Sequence, residues 1–218
     1  MAENHASGAT FGEYVSQFDF QPGWIDLTLE YAIHADALGL AGAVMQRDFK
    51  AIERTVSDRD LLNDLIDRAL FLNKKEPQLA AAYYTSGGVG LADLWVDSYG
   101  DEGKDRPQPA EVTPILLDWS NGKVVGEPDI RYLDLGAGSA VRVQALLKAK
   151  RLLGFGAKLA EFIRYAVFPP QVNYFVVVTV MWRNMAVSDE LVRLTDELVS
   201  SMRLTPVSTV MEENSQDE

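Results

Sequence analysis

The sequence predicts an α+β fold, a mostly antiparallel β-sheet flanked by helices. Three observations lead there. The run 174–182 (YFVVVTVMW) is apolar on both of its alternating faces, as an interior strand covered on two sides must be. Residues 161–168 (EFIRYAVF) precede it through Pro169, Pro170, Gln171, Val172 and Asn173, a connection short enough for an antiparallel hairpin. Apolar residues at spacings of three and four recur between Leu38 and Leu70 and again from Leu191 to Met202, supplying helices with one face to bury.

In chain order, residues 1–10 are small and polar and are expected to be loose. Within 18–29, the Pro22-Gly23 turn leads into a short strand with Trp24 over the core. Leu38, Ala41, Met45, Phe49, Ile52 and Val56 then form a helical stripe. Ser57 opens a second helix, or restarts the first, with Asp60 in place of the usual Glu of a capping box. Leu62, Leu65, Ile66, Ala69 and Leu70 supply its buried face, and Asp64 and Arg68 stand at ion-pair spacing. Lys74 and Lys75 suit its C-terminal end, and Pro77 stops it.

A series of strands follows. Residues 79–86 and 91–99 flank Gly87-Gly88 as a hairpin, and 101–109 is a charged, proline-bearing loop. Residues 112–119 and 123–125 flank Asn121-Gly122, a turn signal, so both are expected as strands. Residues 130–135 and 139–147 continue the set. In the latter Val141, Val143, Ala145 and Leu147 face one side, and Arg142, Gln144 and Lys148 the other. The final helix has Ser188 as its cap, Asp189 and Glu190 in its first turn, and a stripe of Leu191, Leu194, Thr195, Leu198, Val199 and Met202. Pro206 is expected to end it. The acidic tail 207–218 has no periodicity, so one domain, 11–206, is expected between two loose ends.

Composition bounds the partners. With 218 residues and 47% hydrophobic content, the chain builds one substantial core. A net charge of −12 argues against nucleic acid and against an anionic membrane surface. Lys148, Lys150, Arg151 and Lys158 form one local basic cluster, expected as a solvated face. The absence of cysteine excludes thiolate metal sites and cysteine nucleophiles. The N-terminal residues lack a signal-peptide pattern and no apolar run reaches the roughly 18 residues of a membrane span, so a cytoplasmic location is expected.

Chemical motifs are sparse. Residues 133–139 (LDLGAGS) resemble the glycine-rich turn of S-adenosylmethionine-dependent methyltransferases. Ala140 occupies the third glycine position, however, and the following residues alternate like a strand where that site requires a helix. A tight turn between strands is the preferred reading. Residues 154–158 lack the spacing of a phosphate loop, and His5 and His34 are the only histidines. No catalytic, cofactor-binding or metal-binding residue is assigned, and no cofactor is expected. Arg142 and Arg164 each interrupt an apolar strand. They mark a solvent-facing rim, which is the expected reading, or else a buried ion pair or an anion pocket. Trp95, Trp119 and Trp182 belong to the aromatic core or line a ligand pocket.

The stretch 133–142 (LDLGAGSAVR), a strand running into prolines at 165–170 (YAVFPP), and an apolar strand followed by a helix at 188–204 resemble a family of small bacterial, largely actinobacterial proteins with a PsbP/Mog1-like α/β/α sandwich. The resemblance covers about the last 85 residues best. It implies an accessory or binding role by analogy of fold. The expected function is therefore a non-enzymatic binding protein whose partner is another protein, with a basic partner favoured electrostatically and an apolar patch at a sheet edge as its mark. The alternatives are a small-molecule carrier with a pocket between sheet and helices, lined by residues such as Phe175 and Trp182, and, less favoured, a methyltransferase-like enzyme.

Overall fold

A computed structural model describes residues 6–11, 14–50, 54–100, 105–120, 122–149 and 159–206, with backbone alone for 6–11 and 149. Strands β1 (Ala6–Phe11), β2 (Tyr14–Asp19) and β3 (Trp24–Asp26) precede helices α1 (His34–Arg47) and α2 (Asp58–Leu72). β4 (Leu79–Tyr84) and β5 (Gly90–Tyr99) form a hairpin, and α3 (Pro109–Leu117) follows. β6 (Gly122–Leu135), β7 (Gly138–Ala149), β8 (Leu159–Phe168) and β9 (Phe175–Trp182) run up and down as a meander. Helix α4 (Ser188–Ser200) and strand β10 (Arg203–Pro206) complete the order.

Seven strands form one sheet in the order β3-β4-β5-β9-β8-β7-β6, each neighbouring pair antiparallel. β1, β2 and β10 form a separate three-stranded sheet, so a strand begins at Ala6 inside the segment expected to be loose. As its two-sided apolar pattern requires, β9 lies inside the large sheet between β5 and β8. Val176, Val178, Val180 and Trp182 meet Leu191, Leu194, Leu198 and Val199 of α4 on one face. On the other, α1 and α2 cover the β3–β4 end, and α3 covers β7 and β8 through Val112 and Leu116. Helices on both faces of an antiparallel sheet make an α/β/α sandwich, the expected fold class.

Local chemistry explains most boundaries. The Ser57 hydroxyl accepts from the Asp60 amide at 3.2 Å and donates to the Asp60 carboxylate at 2.7 Å, starting α2. Arg68 pairs with Asp64 at 3.2 Å, at the expected spacing. In α1 the stripe is rotated from the one expected. Ala37, Ala41 and Val44 are buried, Leu38 is exposed, and Phe49 packs from beyond the helix end. Residues 51–53, with Ile52 of that stripe, lie outside the described residues.

Three expected elements differ. The apolar run 112–119, expected as a strand, lies mostly in α3, where Pro109 begins the helix and the Gln108 amide donates to the Glu111 carboxylate at 2.7 Å. Residues 123–125 and 130–135, expected as two strands, belong to the single strand β6, with a break in register between Val125 and Asp129. Helix α4 ends at Ser200, and Pro206 lies in β10. Ser188 is the first residue of α4, and its hydroxyl donates to the Glu161 carboxylate. The tail 207–218 is outside the described residues.

The glycine motif is a hairpin. Leu135 stands opposite Gly138, leaving Gly136-Ala137 as a two-residue loop that feeds directly into β7. Gly138 has φ +141°, and a Cβ there would collide with the Phe168 carbonyl oxygen. Gly138→Ala is expected to cost about 2 kcal/mol or more, read from urea unfolding, and a loss within about 0.5 kcal/mol would refute this account of the turn.

A polar clamp fastens α4 to the sheet. Arg142 is only 2% exposed, which corrects the rim reading. Its Nε donates to Asp196 of α4 at 3.0 Å, Nη1 to Asp129 at 3.3 Å and Nη2 to Gln144 at 2.9 Å. The Tyr165 hydroxyl donates to the same Asp196 oxygen at 2.7 Å, and burial, reinforced by this bond, holds the phenol well above its ordinary pKa. Removing one partner of a buried pair strands the other charge. Asp196→Ala is expected to cost about 3 kcal/mol, moderated by Asp129, while Arg142→Met costs clearly less because no buried charge is stranded. Equal losses in denaturant titrations of the two variants would contradict the clamp.

Candidate functional site

β8 places Arg164 on the face opposite Arg142. Arg164 pairs in register with Val143, the neighbour of Arg142 in β7, and adjacent residues of a strand point to opposite sides. The same register carries a row across the sheet: Trp95 of β5 stands opposite Thr179 of β9, which stands opposite Arg164 of β8. Asp97 and Tyr99 follow Trp95 at steps of two and share its face. Trp119, just beyond the end of α3, closes over the row from above.

The geometry is aromatic and cationic together. The Arg164 guanidinium carbon lies 3.7 Å from the Trp119 ring centroid and 5.8 Å from that of Phe162. Trp119 meets Trp95 edge-on at 6.3 Å and Phe162 at 5.0 Å. Nη1 of Arg164 donates to the carbonyls of Leu116 at 2.9 Å and Asp118 at 3.1 Å, satisfying acceptors that the end of α3 leaves open. Its Nε is enclosed without an acceptor, as is the Trp119 indole N–H. Nη2 has no hydrogen-bond partner among the described residues.

No carboxylate among the described residues forms an ion pair with Arg164, and burial pushes its pKa down to about 10 against the weaker pull of Tyr99, Asp97 and Asp118. Asp97 is shifted the other way. Its burial raises the carboxyl pKa, and Lys75, Tyr99 and Arg164 offset this only in part. Arg164, Trp95, Trp119 and Asp97 are partly buried, while Tyr99 is 50% exposed, so the cluster opens to water.

Of the five residues singled out in the sequence, Trp95, Trp119 and Arg164 come together here. Arg142 belongs to the clamp under α4, and Trp182 is packed in the core on that same face. Phe175 lies on the opposite face, stacked between Tyr99 and Phe168 at 5.6 and 5.4 Å, so Phe175 and Trp182 do not line a common pocket. Asp97, Tyr99 and Thr179 were not expected, although the alternation Trp95, Asp97, Tyr99 was a legible sign of one shared face. His34 is exposed at the start of α1, and His5 lies outside the described residues, as do Lys150, Arg151, Lys158 and the stretch 154–158.

No family model matches the chain, and no curated protein matches it in sequence. Among solved structures it is similar to cyanobacterial PsbP (CyanoP) from Synechocystis sp. PCC 6803, at 9% identity over 94% of this chain and 95% of that one, with a TM-score of 0.47. It is also similar to the Ran-binding protein Mog1p of Saccharomyces cerevisiae, at 11% identity over 94% of this chain and 98% of that one, with a TM-score of 0.40. Among the described residues no three His, Cys, Asp or Glu side chains are grouped to hold a metal ion, and no helix is long and apolar enough to cross a membrane.

The raised pKa of Asp97 has a definite sign. The folded protein keeps the Asp97 proton to a higher pH than the unfolded chain does, so this group lowers stability as pH rises from the ordinary carboxylate range through its folded pKa. Above that point the full penalty of the buried charge is present. Asp97→Asn is therefore expected to melt higher than wild type at pH 7, with the gain shrinking as pH falls toward about 4. A lower melting temperature for the variant at pH 7 would contradict the assignment.

Proposed function

We propose that this chain is a cytoplasmic, non-enzymatic binding protein whose partner is another protein, and that it docks through the face around Arg164. One observation carries the reading. Arginine, tryptophan and tyrosine, the residues that dominate binding energy at protein interfaces, are gathered in one partly open cluster of Arg164, Trp119, Trp95 and Tyr99. The surrounding surface favours a partner with extent over a small ligand. Ile115 on α3 is 61% exposed. Tyr132 on β6 is 59% exposed, with its hydroxyl 3.3 Å from that of Thr113 on α3. These two carry apolar surface outward from the cluster. The net charge of −12 steers a basic partner toward the molecule, while the cluster supplies the contact.

Affinity capture from an extract of the source organism, at low and at high salt, tests the reading. Wild type is expected to retain one stoichiometric protein. Trp119→Ala and Arg164→Gln are expected to weaken retention by about tenfold or more, as loss of a central contact does. Arg193→Ala, on the exposed side of α4, serves as a control and is expected to retain the partner. An empty capture from folded bait, or retention unchanged in both cluster variants, would overturn the proposal.

A further inference from the structure

Two like-charge pairs stand opposed across β6 and β7, both on the face that carries α4. Arg131 faces Arg142, and Lys123 faces Lys148. Directly opposed side chains of an antiparallel pair have Cβ atoms about 5 Å apart, and two cations there repel. The arginine pair is neutralised from within, because Asp129 binds both arginines and Asp196 binds Arg142. The lysine pair has no such relief. Both lysines are exposed, and neither forms an ion pair among the described residues. Glu161, on the same face opposite Leu146, already accepts from the Gln144 amide at 2.7 Å and from the Ser188 hydroxyl.

The same corner of the sheet is apolar and uncovered. Helix α4 starts at Ser188, bonded to Glu161, and runs toward Tyr165, whose hydroxyl meets Asp196. Ile163 and Tyr165 are buried along that path. Ahead of the helix start, Leu159 is 49% exposed and Leu146 37% exposed. Leu159 stands opposite Lys148, and Leu146 lies two residues before Lys148 on the same face. Lysine charge and leucine area therefore form one open shelf. In the sequence, residues 148–158 hold four cations and no acid, so the charge of this corner is reversed from that of the chain.

The charge selects the occupant. Relief of the lysine pair needs an anion, yet a chain at −12 repels an extended polyanion, whether nucleic acid or an anionic membrane surface. A short segment with carboxylates beside apolar side chains brings negative charge only to the lysines. We infer that the shelf of Lys123, Lys148, Leu146 and Leu159 docks an acidic segment of a partner protein, its carboxylates at the lysines and its apolar side chains on the leucines. The shelf is on the face opposite the Arg164 cluster, so it is a second contact surface, independent of the one proposed above.

Four probes are titrated into the full chain at low ionic strength: the peptide acetyl-LEELLEEL-amide, its glutamine counterpart acetyl-LQQLLQQL-amide, a peptide of residues 207–218, and phosphatidylserine vesicles. The backbone amide signals of Lys123, Leu146, Lys148 and Leu159 and the Trp119 indole signal are followed by ¹H–¹⁵N NMR. The glutamate peptide is expected to shift the four amides saturably and leave the indole in place, with the glutamine peptide at least about tenfold weaker. The double variant Lys123→Gln, Lys148→Gln is expected to lose about tenfold or more in binding. It is also expected to melt higher than wild type at low salt, with the gain shrinking as salt is added, because the opposed charges are gone. No saturable shift, an equal response to the glutamine peptide, or tighter binding of the 207–218 peptide or the vesicles overturns the assignment. So does a double variant that binds as wild type does or melts lower than it.

Discussion

A sheet covered by helices on both faces leaves a guanidinium inside it little water to turn to. Every donor then needs a partner within the protein, and two arginines on adjacent strands meet this constraint in different ways. Arg142, under α4, reaches two carboxylates and an amide oxygen, and the pair of acids neutralises its charge. Arg164, on the other face, reaches only two backbone carbonyls. Carbonyl dipoles and an aromatic ring lower the cost of its charge without cancelling it, which is why burial still depresses its pKa. The first arrangement is closed on itself, and the second has donors left over.

The difference follows from the pleat. Arg142 in β7 is the immediate neighbour of Val143, the register partner of Arg164 in β8, so the two arginines project to opposite helical layers. On the α4 side a full helix passes over the strand and brings Asp196 from 54 positions along the chain. On the other side α3 is short and ends at Leu117, with Arg164 beneath its last carbonyls. Trp119 follows at once and lies on the guanidinium. The end of one helix therefore sets both the anchor of Arg164 and the ring above it.

What could be read from the sequence followed the reach of the interactions. The two-sided run of β9, its hairpin with β8, the Ser57 cap and the buried stripe of α4 are local patterns, and the structure has them where the residues put them. Helix α3 was misread because 112–119 is short and apolar, and a strand and a buried helix look alike at that length. The helix-start signals, Pro109 and Glu111, stood just ahead of it. The rim reading of Arg142 failed for a different reason: its partners Asp129 and Asp196 lie on other elements and no local pattern links them. Trp95, Trp119 and Arg164 could be picked out singly, but their meeting depends on strand order and on α3, which are settled by tertiary packing.

The two edges of the large sheet bear on how a partner would be held. β3 is an edge of only three residues. β6 is long, but its pairing with β7 breaks between Val125 and Asp129, around Gly126 at φ +78° and Pro128, and it carries Lys123, Glu127, Asp129, Arg131 and Asp134. Short strands, irregular register, proline and charge all discourage another strand from pairing along an edge. On the proposed reading, with strand addition opposed at both ends of the large sheet, contact would fall to side chains on a face. The face around Arg164 has two things such contact uses: aromatic area and a cation held in place by α3.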